Sequence, residues 1–431
     1  MLSQEDNDLI TRVGPGTPMG TLFRRYWIPA LLSEELPTPD SDPVQVRLLG
    51  EDLVAFRDSN GQLGLLGEFC SHRKASLFLG RNEECGLRCV YHGWKFDVTG
   101  QCVDMPNEPA ESNFKDKIAH TAYPCQELGG VVWTYMGPPE HRPATLPQFD
   151  WALVPENQRV VSKMRQVSNY LQGLEGGIDS SHVSFLHASR NPAAGRSFGV
   201  GGIFSSTDGA PRFSVVETDY GFLIGAARTT NVPDVCYWRL TPFMLPWYTV
   251  IPGRIGPGEQ VYSGHGWVPI DDNHCWMYTY SWHPEAPIAG QRIHPAHEVE
   301  RDTNLLPLTR RSNWYGLDRR LQREESFTGI RNTSDQDRAV QETMGPIVDR
   351  TTEHLGTSDA AIIAARRLLI QQARDLERGI EPAPAHHGAS YRLRSLAVEL
   401  PRGATMSDAG ELFAARGVVR PLSGSSTLKP G

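Results

Sequence analysis

Cys70-Ser71-His72 and Cys89-Val90-Tyr91-His92 are two short ligand pairs, C-x-H and C-x2-H, with sixteen residues between His72 and Cys89. Each pair can set one thiolate and one imidazole at the tip of a loop. Two such tips facing each other hold a [2Fe-2S] cluster with both histidines on one iron. Zinc also accepts two cysteines and two histidines, but zinc fingers pair Cys with Cys and His with His on separate elements. The interleaved order here favours iron-sulfur. Gly67 precedes the first loop, Gly93 and Trp94 follow the second, and Lys95 to Gln101 reads as a strand running into a glycine turn.

The scaffold for those loops is legible around them. From about Trp27 to Gly137 short alternating segments recur, such as Val44 to Leu49 and Leu53 to Phe56, broken by the turn Asp58-Ser59-Asn60-Gly61. Gly129 to Gly137 is expected to close a small antiparallel sheet domain. Pro138, Pro139, Pro143 and Pro147 then mark a linker. At 431 residues the chain exceeds one ordinary core. We expect an N-terminal segment over 1–26, the cluster domain over 27–145 and a larger domain over 146–431.

A second motif lies in that larger part. Asp179-Ser180-Ser181-His182-Val183-Ser184-Phe185-Leu186-His187 is D-x2-H-x4-H. Two neutral imidazoles and one carboxylate that leave adjacent positions open make the facial triad of a non-haem Fe(II) oxygenase. On a regular helix Asp179 and His182 share a face, whereas His182 and His187 stand roughly 140° apart. Convergence on one metal therefore needs a π-bulge, or a helix that ends before His187. Alone, this pattern would read as a polar helix face. The third ligand must be a distant carboxylate, and Asp335, Asp337 and Asp349 are the candidates. Asp335 could instead cap the following helix.

Taken together, these motifs resemble the Rieske non-haem iron oxygenases, specifically their catalytic α subunits. The resemblance spans the cluster domain, the iron segment and the stretch from Thr328 to Glu342. It is closest to the phthalate dioxygenase-like branch through Asn169-Tyr170-Leu171-Gln172, Glu175 to His182 and Gln341 to Ile347. Two departures stand out. The usual C-x-H-R-G becomes Cys70-Ser71-His72-Arg73-Lys74, and the asparagine often found ahead of the aspartate is replaced by Gly or Glu175.

The resemblance implies an α+β protein, with an antiparallel β cluster domain and a catalytic domain whose antiparallel sheet is flanked by helices. It favours Asp337 in Gln336-Asp337-Arg338 as the third ligand, with Asp335 in reserve. It also implies that electrons cross between neighbouring subunits. Asp179 is the candidate bridge between His182 of its own subunit and His92 or His72 of the next. Head-to-tail contact of this kind closes in a cyclic trimer, singly or as two stacked trimers. An NAD(P)H-dependent flavin and iron-sulfur reductase is the implied electron donor, with O2 as co-substrate.

The branch further implies an aromatic carboxylate substrate of phthalate, chlorobenzoate or phenoxybenzoate type, and a cis-dihydrodiol product. A buried carboxylate needs a cationic fork, for which Arg is better shaped than Lys. Arg239, alternating with large side chains in Tyr237-Trp238-Arg239-Leu240, is the best placed, with Arg228 next and Arg212 behind. Ser180 can add a hydroxyl. Monooxygenation or demethylation of another aromatic substrate is the alternative. A pure electron-transfer protein would need neither His182 nor His187.

The remaining expectations are broader. Strands are expected at Phe213 to Thr218, Phe222 to Ala226, Val235 to Leu240 and Cys275 to Trp282, enough to wall a pocket. Asp359 to Arg378 reads as a packing helix ended by Gly379. The Pro-, Gly- and Ser-rich tail from Pro382 carries His386 and His387, which get no role. Seven cysteines, two of them in the cluster set, lack disulfide spacing. With the acidic start Met1 to Asp8, this suggests a cytoplasmic protein. A net charge of -8 with scattered Lys and Arg argues against nucleic acid, and no apolar run suits a membrane span.

Overall fold

The computed structural model describes residues 1–189, 208–253 and 261–419. The end of the tail, 420–431, lies outside the described residues. Three small antiparallel sheets build the N-terminal part. The first joins Val44–Leu48, Glu51–Arg57, Leu63–Gly67 and Ala122–Tyr123. Its first hairpin is closed by the main chain at Leu49 and Gly50, and its second by Asp58, whose Oδ1 accepts the Asn60 and Gln62 amides. The second sheet joins Arg81–Glu83, Gly86–Arg88, Lys95–Phe96 and Cys102–Asp104. In the third, Val131–Tyr135 lies between Trp27–Leu32 and Cys125–Leu128, closing the domain in the expected place.

The C-terminal part is built on one eight-stranded antiparallel sheet. The anticipated strands are present as Arg212–Thr218, Gly221–Thr229, Val235–Met244 and His274–Trp282. Arg159–Gln166, Tyr248–Ile251, Tyr262–Asp271 and Leu396–Pro401 complete it. The last of these comes from the Pro- and Gly-rich tail: its Leu-Ala-Val-Glu-Leu alternation adds a partner to Val235–Leu240, opposite Arg239. The packing helix runs from Ala360 to Glu377.

Gln4–Thr11 and Pro18–Phe23 are helices capped by Ser3 and Thr17. Tyr170 Oη donates to the Ile10 carbonyl, and Asn169 Nδ2 donates to the Thr11 carbonyl. The N-terminal helices therefore brace the catalytic part.

Tyr170–Ile178 carries the second motif into place. Gly173 and Gly177 let this helix lie directly on the indole of Trp267, where a Cβ at either position would overlap the ring. Gly176 gives the same close approach to Gln341 on the helix Thr333–Thr343. Gln172 Nε2 ties the two helices by donating to the Gln341 and Gly345 carbonyls, at 2.8 and 2.9 Å. Buried Glu175 pairs with Arg350 at 3.0 Å and Arg366 at 2.7 Å. Burial opposes its ionisation, but the two guanidiniums outweigh that and hold its carboxyl below the usual range.

Candidate metal centres

The first ligand pair follows the strand Leu63–Gly67, and the second lies between Gly86–Arg88 and Lys95–Phe96. Both are tight loops. Cys70 N donates to the Ala75 carbonyl and Lys74 N to the Cys70 carbonyl, each at 2.9 Å. Cys89 N donates to the Trp94 carbonyl at 2.8 Å, and Gly93 N to the Cys89 carbonyl at 3.0 Å. Gly93 has φ +81°, and a Cβ there would meet Pro106. Lys74 also adopts a left-handed φ of 61°. The position where the family's pattern has glycine is thus one that glycine suits, and lysine takes it here at a steric cost.

Across these loops the four ligands face one another. The His72 and His92 rings are 4.4 Å apart between centroids, and Trp94 stacks on His72 at 4.5 Å. The Cys70 thiol is pushed up to about 11, by burial and by the neighbouring Cys89. Two adjacent buried thiols resist joint ionisation unless a cation lies between them. His72 Nδ1 is buried with no partner among the described residues. An orphaned imidazole nitrogen beside two thiols is a donor set that suits an iron-sulfur cluster.

The iron motif departs from regular helix. Tyr170–Ile178 stops at Asp179, and a short 3-10 turn covers His182–Ser184. Asp179 and His182 therefore do not share a helix face, and His187 lies beyond the helix end. The loop brings them together nonetheless. His182 Nδ1 is 3.4 Å from Asp179 Oδ2, and His182 Nε2 is 3.5 Å from Asp337 Oδ1. His187 Nε2 is 3.3 Å from the same oxygen. Ligand atoms of His182, His187 and Asp337 all lie within 4.8 Å of one another. Burial raises the Asp337 pKa, but His187 and His182 more than offset it. Such a triad suits a divalent metal.

The other aspartates have different partners. Asp335 is buried against Arg338 Nη2 at 2.5 Å and Thr309 Oγ1 at 2.8 Å. It does not cap its helix either, because Asn332 does. Asp349 is exposed and shapes a turn with Thr351.

The arginines expected at the substrate have different surroundings. Strand register sets Arg228 opposite Tyr237 and Arg239 opposite Ala226, so all four side chains share one face of the sheet. Arg228 is wholly buried and already hydrogen-bonded to Ser180, Ser184 and the Asp208 carbonyl. The Ser180 hydroxyl accepts from Arg228 Nη1. Arg212 is exposed. Arg239 differs: its buried Nε has no partner among the described residues, and its charge opposes protonation of His187.

Several residues escaped sequence reasoning. Gln336 Oε1 accepts from His187 Nδ1 at 2.7 Å, while its Nε2 donates to the Ile330 carbonyl at 2.7 Å. That amide leaves the His187 Nε2 lone pair for a metal. His120 buttresses the first cluster loop through Ser71 Oγ at 2.8 Å and the Gly67 carbonyl at 2.7 Å. His265 and His294 pack edge to face at 4.5 Å beside the triad. Burial, with Asp337 opposing it, pulls the His294 imidazole down to about 4. A neutral imidazole at this wall is the consequence. Only Gln336, adjacent to Asp337, carried any local hint.

Comparison with known proteins adds an independent line. Residues 26–123 match the Rieske [2Fe-2S] domain, and residues 134–395 match the family described as LigXa C-terminal domain like. The phthalate 4,5-dioxygenase oxygenase subunit of Pseudomonas putida is 40% identical over 88% of this chain and 88% of its own length. The 3-chlorobenzoate-3,4-dioxygenase oxygenase subunit of Comamonas testosteroni is 38% identical over 87% of this chain and 89% of its own. Pseudomonas putida CBB5 NdmA, solved with caffeine, shares the fold with a TM-score of 0.61 at 18% identity, over 86% of this chain and 96% of that one.

Proposed function

Because this chain belongs to the Rieske non-haem iron oxygenases, in the phthalate 4,5-dioxygenase-like branch, we propose that it dihydroxylates an aromatic carboxylate. Cys70, His72, Cys89 and His92 would hold the [2Fe-2S] cluster, and His182, His187 and Asp337 would hold the mononuclear iron. The convergence of those last three residues on one point carries the reading. Bound there, the cluster and the iron supply electron storage and oxygen activation.

The protein's own groups do the rest. Gln336 and Asp179 orient His187 and His182 through the ring nitrogens turned away from Asp337. Arg239 offers a partly buried cation with an unpartnered Nε within electrostatic reach of the triad, which suits a substrate carboxylate. Asp179 uses Oδ1 on the Ser181 amide and Oδ2 on His182, and each oxygen keeps a second lone pair. His92 or His72 of a neighbouring copy can donate to it. The assembly that brings them together is a head-to-tail trimer, alone or as two stacked trimers. A flavin and iron-sulfur reductase drawing on NAD(P)H feeds the cluster. Among the described residues no helix is long and apolar enough to cross a membrane, and the reaction fits the cytoplasm.

The test is oxygen uptake by the protein with a reductase across a panel of aromatic acids, with product analysis. A cis-dihydrodiol from a benzoate or phthalate supports the reading. Formaldehyde from a methoxybenzoate instead would make it a demethylase. Arg239→Gln should raise KM for the acid about tenfold or more, since a charged hydrogen bond is lost, and leave the corresponding amide unaffected. An unchanged KM would remove Arg239 from the pocket.

A further inference from the structure

Among the described residues no carboxylate oxygen accepts a hydrogen bond from the buried Arg228. It has no exposed surface, and the hydrogen bonds it makes among the described residues all end on neutral oxygens. Nε donates to the Asp208 carbonyl at 3.1 Å. Nη1 donates to Ser180 Oγ at 3.0 Å, and Nη2 to the Ser180 carbonyl and to Ser184 Oγ at 3.5 Å. The Asp208 carboxylate is turned to Thr229 instead, on its amide and its hydroxyl. Burying a cation this way costs several kcal/mol of desolvation, a cost that packing alone does not require.

What the cation grips is the turn on either side of His182. Ser180 directly follows Asp179, and Ser184 follows His182 within the 3-10 turn. On the other side of the same turn, Asp179 Oδ1 accepts the Ser181 amide at 2.6 Å. The peptide units at Ser180 and Ser181 are thus held from the sheet by Arg228 and from the loop by Asp179. Burial and the neighbouring Arg239 work against the Arg228 charge, and the carboxylates of Asp208 and Asp179 favour it. A positive charge near the C-terminal end of the helix Tyr170–Ile178 also meets the helix dipole favourably.

We propose that Arg228 is a positioning residue: its grip on Ser180 and Ser184 sets the direction of the Asp179 carboxylate against His182, and so governs passage of electrons from the cluster. This rests on reading Asp179 as the bridge between subunits. Arg228 acts through Asp179 and touches no substrate.

The test compares Arg228→Met and Arg228→Lys with the native protein. In iron-free protein, hydrogen exchange of the amides from Ser181 to Leu186 should accelerate about tenfold or more in Arg228→Met, because the loop opens locally. In loaded protein, the cluster absorption, iron content and substrate KM should stay native. The reduced cluster should nonetheless be oxidised about tenfold more slowly in a single turnover with substrate and O2, a loss of about 1.4 kcal/mol. Arg228→Lys, which keeps the charge and part of the grip, should recover most of that rate. If Arg228→Met does not fold, the double variant Ser180→Ala, Ser184→Ala removes both hydroxyl acceptors and takes the same readouts. Native exchange and native cluster oxidation would overturn the proposal. So would a raised KM for the acid with unchanged oxidation at saturation, which would return Arg228 to substrate binding. Asp179→Asn run alongside separates the two levels. Native oxidation in Asp179→Asn sinks the bridge itself, whereas slow Asp179→Asn with native Arg228→Met sinks only the role given to Arg228.

Discussion

The two metal sites are built on opposite principles. The proposed cluster ligands lie between Cys70 and His92, on two loops shaped mainly by hydrogen bonds within a few residues of them, with His120 as the one distant brace named above. The proposed iron ligands come from a loop after one helix and from the middle of another, and Gln336 reaches His187 across 149 positions of sequence. A local site depends on its own turns. A distributed site depends on the buried polar ties that hold Tyr170–Ile178, Thr333–Thr343 and the sheet in register. The two should therefore fail separately.

The largest effects test that separation. Cys89→Ser should abolish the cluster's visible absorption while the mononuclear iron still loads, and His182→Ala should do the reverse. Metal analysis beside the absorption spectrum decides it. Loss of both metals in either variant would mean that the two sites fold as one unit.

Asp337→Ala and Asp335→Ala sharpen the comparison within the iron site. The first removes the one anionic ligand and should leave purified protein with little mononuclear iron. The second should keep iron but lose about 2 kcal/mol of stability, because Arg338 is buried and loses its closest charged partner. Thermal melting with iron analysis distinguishes them, and the opposite pattern would move the ligand to Asp335.

Gln336→Leu is the smaller perturbation. It keeps all three ligands but removes the acceptor of His187 Nδ1–H, and iron affinity should fall about 10- to 100-fold. Titration of the iron-free protein measures it. Unchanged affinity would show that packing alone orients His187.

Legibility in the sequence follows the same division. Cys70, His72, Cys89 and His92 announce themselves by spacing, and His182 and His187 by a motif whose helix geometry already pointed to a chain break. The break is there, after Ile178. Asp337 could be chosen over Asp335 only through resemblance, since a buried ion pair with Arg338 leaves no mark in the order of residues. Arg228 looked like Arg239 because both are arginines on neighbouring strands. Their difference lies in what packs opposite, 44 to 48 positions away in the case of Arg228. Tyr248–Ile251 and Tyr262–Asp271 were not anticipated: both are nearly all buried and lack alternation, as does Gly221–Thr229, but glycine and proline interrupt Tyr262–Asp271 and the other is only four residues long.

The claim that joins the two sites is the bridge at Asp179, which is held by His182 and the Ser181 amide. Asp179→Asn keeps the shape of the side chain and removes its charge. Rapid mixing of the reduced protein with substrate and O2, followed at the cluster absorption, measures it directly. With both metals bound, oxidation of the cluster should slow about a hundredfold. Oxidation at the native rate would mean that electrons cross elsewhere and that Asp179 serves only to orient His182.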